Sequence, residues 1–515
     1  MTGIMNPRVN LSARTPKISR TMTKLFAVQA LYGAYTPTTF SWASGDFLNS
    51  TQIFDAEGEF DEVALIFGNS DPTSTLSVQA AVSAGGTGGT CTLTDLTNNS
   101  GTYTAVTFGG AASGTVPVSP VAMPGGPNNH FPGLLISDWI PLTSLPRSDV
   151  SGGRPLLYVR SAAVPQSATQ SLCLLEPVPT RAAGYAQTQT APLASWERVA
   201  LSTTANGTSA NLGGTAAGTP GFGGGYAGAC IGFMYRLRAG RGMTVLCVGD
   251  SITEGAGTTG QFGWSAKLGF QLNINNAGGN AQAMSSMPVE TISWGFSGQT
   301  TATYSTAFDL LLAAGIAPNV AIFSPYSPNT RNSAVSRQSF IDFIARCENA
   351  SIYPLAWTGV PSPTLLYNGY DADRLTYNTE LLAGMDVGMM DFNGAVSGAT
   401  AASSAVISGT ISGNTLTVVS VTSGTVAANQ EVTGTSVTQG TFIVSGSGTT
   451  WTLNNASTVS TAETLTCTGG VQQYASGMAY TDNTHPNDTG DNALLGVAVN
   501  KLQPIISNYF AGVTT

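Results

Sequence analysis

Apolar and polar positions divide the chain into two textures. From residue 26 to about 238 the apolar residues come in short or alternating runs. Examples are "DEVALIFGNS", "TLSVQAAVSA", "TYTAVTFGG", "LLISDWIPL" and "PLLYVRSAAV", punctuated by Gly, Pro, Asn and Asp. Period-two alternation broken by turn residues predicts β-strands, and a series of them predicts a β-sandwich or jelly roll. From Met243 strand-like runs alternate with helical patterns: "MTVLCVG" precedes "GWSAKLGFQLN", and "VETISWG" precedes "TTATYSTAFDLLLAAG". "NVAIFS" then precedes "NSAVSRQSFIDFIARCENA", "YPLAWTG" precedes "DADRLTYNTELLAGM", and "VGMMDF" follows. This repetition predicts an α/β fold, a parallel sheet with helices on both faces. The pattern breaks near Gly394 and resumes near Val471. The intervening run of Gly, Ser and Thr has only two acids, Glu431 and Glu463, and no Lys or Arg, and it reads as an all-β insertion.

The expected organisation follows. A basic arm spans residues 1–25, a β-sandwich or jelly-roll domain 26–240, the first part of the α/β domain 241–398, the all-β insertion 399–471 and the rest of the α/β domain 472–515. A chain of 515 residues has room for two or three such cores.

Composition narrows the function. Only 9% of residues are charged while 42% are hydrophobic, which fits packed β-structure and excludes disorder. A net charge of −9 argues against nucleic acid as a partner. Arg8, Arg14, Lys17, Arg20 and Lys24 lie in an opening stretch without acids, either a docking arm or a solvated terminus. The apolar stretch after it, "LFAVQALYGA", is interrupted by Gln29, and no cleaved leader is expected. With no run of 18 apolar residues, no membrane span is expected either. Cys91, Cys173, Cys230, Cys247, Cys347 and Cys467 are scattered without metal-like spacing, so they read as buried free thiols and no metal is expected.

Candidate chemistry centres on "GDSITEGAG", residues 249–257, directly after the strand "MTVLCV". In open parallel sheets, sites form in loops at the carboxyl ends of strands, so Ser251 is either a nucleophile or a polar turn residue. The chain has two histidines, His130 in "GPNNHFPG" and His485 in "TDNTHPNDTG". An Asp–X–X–His spacing puts the Asp482 carboxylate one turn from the His485 imidazole. It can accept a hydrogen bond from Nδ1–H there and leave Nε2 for a nucleophile; otherwise "HPND" is an ordinary turn and helix start. Trp264 and Trp294 flank the site loops and read as core. The region of Asp138, Arg154 and Arg160 reads as holding a structural ion pair, with carbohydrate contact the lesser alternative, and His130 as a surface or interdomain residue.

These blocks together resemble the SGNH (GDSL-type) hydrolase family. "VGDSITEG" resembles its Gly-Asp-Ser signature, "WGFSGQTT" its second block, "PYSPNTRN" its third and "DNTHPN" its last. The resemblance covers roughly residues 243–398 and 472–512, and implies a three-layer, flavodoxin-like α/β domain. It implies Ser251 as nucleophile, His485 as general base and Asp482 as its orienting acid. The oxyanion hole is then formed by Ser251, Gly298 and Asn329, with Asp250 structural. The third block departs from the family, with Ser327 in place of Gly and Thr330 in place of Asp. The chemistry implied is ester hydrolysis without a cofactor.

The remaining texture resembles bacteriophage virion proteins. The expectation is a virion-borne esterase that removes acyl groups, acetyl above all, from a host cell-surface polysaccharide. The basic arm would dock on other virion proteins of a homo-oligomeric fibre, spike or head-surface protein. The alternatives are a non-catalytic, glycan-binding virion protein on the same scaffold, and a secreted bacterial carbohydrate esterase.

Overall fold

The computed structural model describes residues 20–25, 28–29, 40–41, 47–84, 104–122, 130–144, 156–165, 169–170, 174–175, 197–202, 226–227, 229–259, 262–278, 285–366, 370–384, 388–400, 404–469 and 472–511. Five parallel strands carry the α/β part. In chain order they are Met243–Gly249, Val289–Gly295, Val320–Phe323, Tyr353–Trp357 and Gly388–Met390. Their spatial order is second, first, third, fourth, fifth, which is the flavodoxin-like doubly wound arrangement.

The first strand shows why it is central. All seven of its residues are buried, as expected for a parallel strand covered on both faces. Val245 and Cys247 face a core with Leu268 and Leu272 of the helix Trp264–Asn276 and Leu494, Ala498 and Leu502 of the helix Asp488–Ala511. Leu246 and Val248 face the opposite core, with Phe308 of the helix Thr301–Ala313 and Phe340 and Phe343 of the helix Ser333–Ala350. Side chains alternating between two helical layers make this part three-layered.

The sheet does not stop at the α/β part. Thr21–Leu25, expected at the end of the basic arm, pairs parallel to the second strand at Leu25 and Ile292. Beyond it lie Cys230–Leu237, Phe60–Asn69 and Gly133–Ile136, all antiparallel, and the whole forms one ten-stranded sheet. A six-stranded antiparallel sheet, centred on Phe47–Asp55, Leu156–Pro165 and Leu76–Ala84, packs on this antiparallel half. The rings of Phe54 and Phe233 stack between them with centroids 5.5 Å apart. Glu290 of the second parallel strand accepts from the Tyr235 hydroxyl at 2.6 Å and from the Glu57 N–H at 3.2 Å. The expectation here is a β-sandwich or jelly roll, and these contacts correct its jelly-roll form. Antiparallel sheets are present, one of them shared with the parallel strands, and no jelly roll is seen among the described residues. Short-range alternation identifies strands, but only pairing decides which sheet they join.

Within the insertion a four-stranded antiparallel sheet is built on Ala405–Gly424 and Thr450–Thr468, with its own apolar cluster around Ile407, Leu416, Ile443 and Leu465. Its two ends meet where Ser397–Thr400 pairs with Gln472–Tyr474. The buried Asp371–Arg374 pair clamps that base. Asp371 accepts from Gln472 N–H at 2.7 Å, and Arg374 donates to the Gln472 side chain at 2.8 Å.

Candidate active site

The carboxyl end of the first parallel strand runs into a one-turn helix, Ser251–Glu254. Asp250 caps it by accepting the Ile252 N–H at 3.0 Å. Ser251 is the first residue of this helix, so its own N–H is one of the amides a helix leaves unpaired. The helix presses against the second strand at Gly295, where an added Cβ would lie 2.3 Å from Glu254 N. Only a glycine admits that approach.

The loop before the last helix brings the other two groups. Asp482 Oδ1 accepts the N–H groups of Thr484 and His485 at 2.9 and 3.1 Å, a turn of the kind Asp readily forms. The same turn holds Asp482 Oδ2 2.6 Å from His485 Nδ1. His485 Nε2 then lies 2.7 Å from Ser251 Oγ, across 234 residues of sequence. Asn487 caps the following helix through Thr489 and Gly490, so "HPND" is also a helix start. Outside the turn, the Thr484 carbonyl is held by the Ser362 hydroxyl at 2.9 Å and the Tyr474 hydroxyl at 3.0 Å.

Exposure rises along the relay, from 5% at Ser251 to 18% for the His485 side chain and 40% for Asp482. Burial alone would raise the Asp482 pKa. The hydrogen bond and charge of His485 and the two loop amides outweigh it, and the carboxyl titrates below its usual range. Asp250, directly before the serine, shifts upward because it is fully buried, although the Ser327 hydroxyl and the nearby imidazole oppose the shift.

The sequence-predicted oxyanion donors sit on neighbouring loops. Gly298 follows the second strand with φ +74°, and neither its N–H nor that of Ser251 has an acceptor among the described residues. Asn329 follows the third strand and donates one Nδ2 hydrogen to the Gln299 carbonyl at 3.1 Å, leaving a second hydrogen for a ligand. Ser251 and Asn329 therefore flank the boundary between the first and third strands, where the strand order reverses.

Other sequence candidates lie elsewhere. Trp264 and Trp294 are fully buried; Trp294 donates to the Ala307 carbonyl, and Trp264 packs edge-on against Phe392. Asp138 forms no arginine pair among the described residues. Its carboxylate accepts from the Thr107 hydroxyl and the Gly109 and Gly110 amides, and Arg154 lies outside the described residues. His130 belongs to a two-residue strand paired with Val121–Ala122. Cys230, Cys247, Cys347 and Cys467 are all buried and Cys247, Cys347 and Cys467 are free thiols, whereas Cys91 and Cys173 fall outside the described residues. No group of three metal-ligating side chains occurs among the described residues. No helix among them is long and apolar enough to cross a membrane.

Sequence reasoning missed several supporting residues. Gly257 has φ +91°, and an added Cβ would meet His485 Cβ at 2.8 Å and the Pro486 carbonyl at 2.7 Å. Thr259 donates to Asp488 through its N–H at 2.9 Å, tying the serine loop to the histidine loop. Thr364 donates to the Asp482 carbonyl at 3.0 Å, and Gly440 of the insertion sits against Thr364. Each contact joins segments far apart in sequence, so no local pattern announces it.

Fold and site together define a class: an α/β protein with a Ser–His–Asp relay at the carboxyl end of its parallel sheet. No family model matches the chain, and no curated protein does. Similar solved structures include a member of the lipolytic protein G-D-S-L family from Veillonella parvula, 17% identical, covering 30% of this chain and 79% of that one at a TM-score of 0.24. The psychrotrophic esterase EstA from Pseudoalteromonas is 15% identical, covering 29% and 76% at 0.23. The acetyl xylan esterase AlAXEase is 17% identical, covering 29% and 77% at 0.23. At such scores the functional argument rests on the geometry of the site itself.

Proposed function

We propose that the chain is a serine esterase of the SGNH type. The observation that carries this reading is the continuous relay from Ser251 Oγ to His485 Nε2 (2.7 Å) and from Nδ1 to Asp482 Oδ2 (2.6 Å). Ser251 Oγ attacks the ester carbonyl as its proton passes to Nε2. Asp482 holds the tautomer and stabilises the imidazolium. The N–H groups of Ser251 and Gly298 and the Asn329 amide receive the oxyanion. His485 then protonates the departing alcohol, and water repeats the cycle on the acyl-serine. Acid–base help of this kind contributes about 10²–10⁴-fold, and one oxyanion donor about 3 kcal/mol.

The proposed substrate is an O-acylated, foremost O-acetylated, cell-surface polysaccharide, and the proposed setting a virion. Support for both is the texture of the sequence: a β-rich chain of low charge, a Gly/Ser/Thr-rich β-insertion and basic residues near the start. The intact relay favours catalysis over a purely glycan-binding role.

Hydrolysis of p-nitrophenyl acetate by the protein and by Ser251→Ala tests the reading. The variant is expected to lose about 10³-fold or more in kcat. Equal rates in the two proteins overturn it.

A further inference from the structure

Three separate loops carry the oxyanion donors, and one hydroxyl joins all three. Ser327 is fully buried. Its Oγ lies 2.6 Å from Asp250 Oδ2, on the segment that starts the nucleophile helix, and 3.1 Å from the Gln299 carbonyl, next to Gly298. The same oxygen accepts the Asn329 N–H at 3.2 Å. Asp250 Oδ1 meanwhile caps the nucleophile helix through Ile252, and the Gln299 carbonyl also receives Asn329 Nδ2. Thr330, the second departure in this block, uses its hydroxyl to accept the Thr301 N–H at 2.9 Å, at the start of the helix after the Gly298 turn.

A glycine at 327 makes none of these bonds. It removes one hydrogen bond from the buried Asp250 carboxyl, leaving the Ile252 N–H and the Tyr304 hydroxyl on it, and a lost bond to a buried carboxyl is costly. We propose that Ser327 is a positioning residue that fixes the spacing of the Ser251, Gly298 and Asn329 donors, with Thr330 anchoring the same loop from its other side. Ser327 never touches the reacting ester; it acts through Asp250, Gln299 and Asn329. The proposal rests on the serine-esterase reading. It turns the two departures of the third block into a replacement set of tethers, consistent with a working site. Small displacements of preorganised donors are expensive, because a donor must meet the oxyanion at hydrogen-bond distance.

The experiment measures kcat and KM for p-nitrophenyl acetate, and inhibition by a trifluoromethyl ketone, in wild type, Ser327→Ala, Ser327→Gly and Thr330→Val. Thermal melting of each variant is recorded alongside. Loss of the Ser327 hydroxyl is expected to lower kcat about 10–100-fold and to weaken the ketone by a similar factor. KM should stay within about twofold, the signature of an interaction made in the transition state. Thr330→Val, which spares Asp250, is expected to fall by several-fold and serves if the Ser327 variants do not fold. Folded variants with wild-type kcat and ketone affinity, beside a wild type whose activity needs Ser251, overturn the positioning role alone. A wild type without Ser251-dependent hydrolysis removes the esterase reading and this inference together.

Discussion

Asp482 Oδ2 lies 2.6 Å from His485 Nδ1 while Asp482 Oδ1 takes the backbone N–H of the same histidine at 3.1 Å. One carboxylate thus sets both the backbone turn and the orientation of the ring. Asp482→Asn preserves the size but places a donor or a neutral oxygen opposite Nδ1, favouring the wrong tautomer. We expect kcat to fall about 10²–10⁴-fold with a smaller change in KM. Steady-state kinetics on p-nitrophenyl acetate check this, and an unchanged kcat would remove Asp482 from the relay.

Gly257 reaches the same histidine from the other side. Alanine there is strained at φ +91° and would push on His485 Cβ and the Pro486 carbonyl. Gly257→Ala is expected to cost about 1–3 kcal/mol in stability, and kcat should fall by about 10²-fold through displacement of the imidazole. Denaturation curves and kinetics on the same preparation separate the two effects. Full activity would show that the loop absorbs the methyl group without moving His485.

Glu254 closes the helix Ser251–Glu254 and is buried at 2% exposure. Burial pushes its pKa up from 4.5 to about 8, the hydrogen bonds of Ser297 restrain the shift and the charge of Asp250 adds to it. Between those two pH values the folded chain keeps a proton that the unfolded chain has released. Stability from this group is therefore present at low pH and lost as pH rises toward 8, at up to about 1.4 kcal/mol per pH unit. Glu254→Gln is expected to flatten that decline. Urea denaturation of both proteins across the window tests it, and parallel curves would refute the assignment.

Lys267 and Asp491 form a buried ion pair at 2.8 Å between the helices Trp264–Asn276 and Asp488–Ala511, and Asp491 also accepts the Trp264 N–H at 2.8 Å. Lys267→Met leaves the carboxylate without its counter-ion and is expected to destabilise by about 3–5 kcal/mol. Adding Asp491→Asn removes the stranded charge yet keeps an oxygen for Trp264, so the double variant should recover at least part of the loss. Chemical denaturation of the single and double variants decides. A single variant as stable as wild type would mean the pair contributes nothing net.

Much of the α/β part is legible in order along the chain. "MTVLCVG" is apolar but for Thr244 and buried throughout, because a parallel strand is covered on both faces. "GDS" follows it where a sheet of this kind forms its sites, and Asp–X–X–His is a contact made within one turn. Such features survive in a linear reading because their physics is local. The β-rich segment is less legible. Cys230–Leu237 reads as a strand from its own residues, but nothing in it says that its neighbours are Thr21–Leu25 and Phe60–Asn69. Backbone hydrogen bonding between strands is nearly blind to sequence, so pairing partners are chosen by global packing.

The sequence by itself determined the periodicities, the Gly-Asp-Ser turn and the Asp–X–X–His turn, since each is set by residues within a few positions of one another. Tertiary structure alone decided that His485 meets Ser251 across 234 residues. It decided too that Ser327 joins three loops, and that one sheet runs from the antiparallel strands into the parallel ones. The reason is physical: those contacts depend on where the chain's buried surfaces come to rest against each other, a property of the whole packed core and of no single segment.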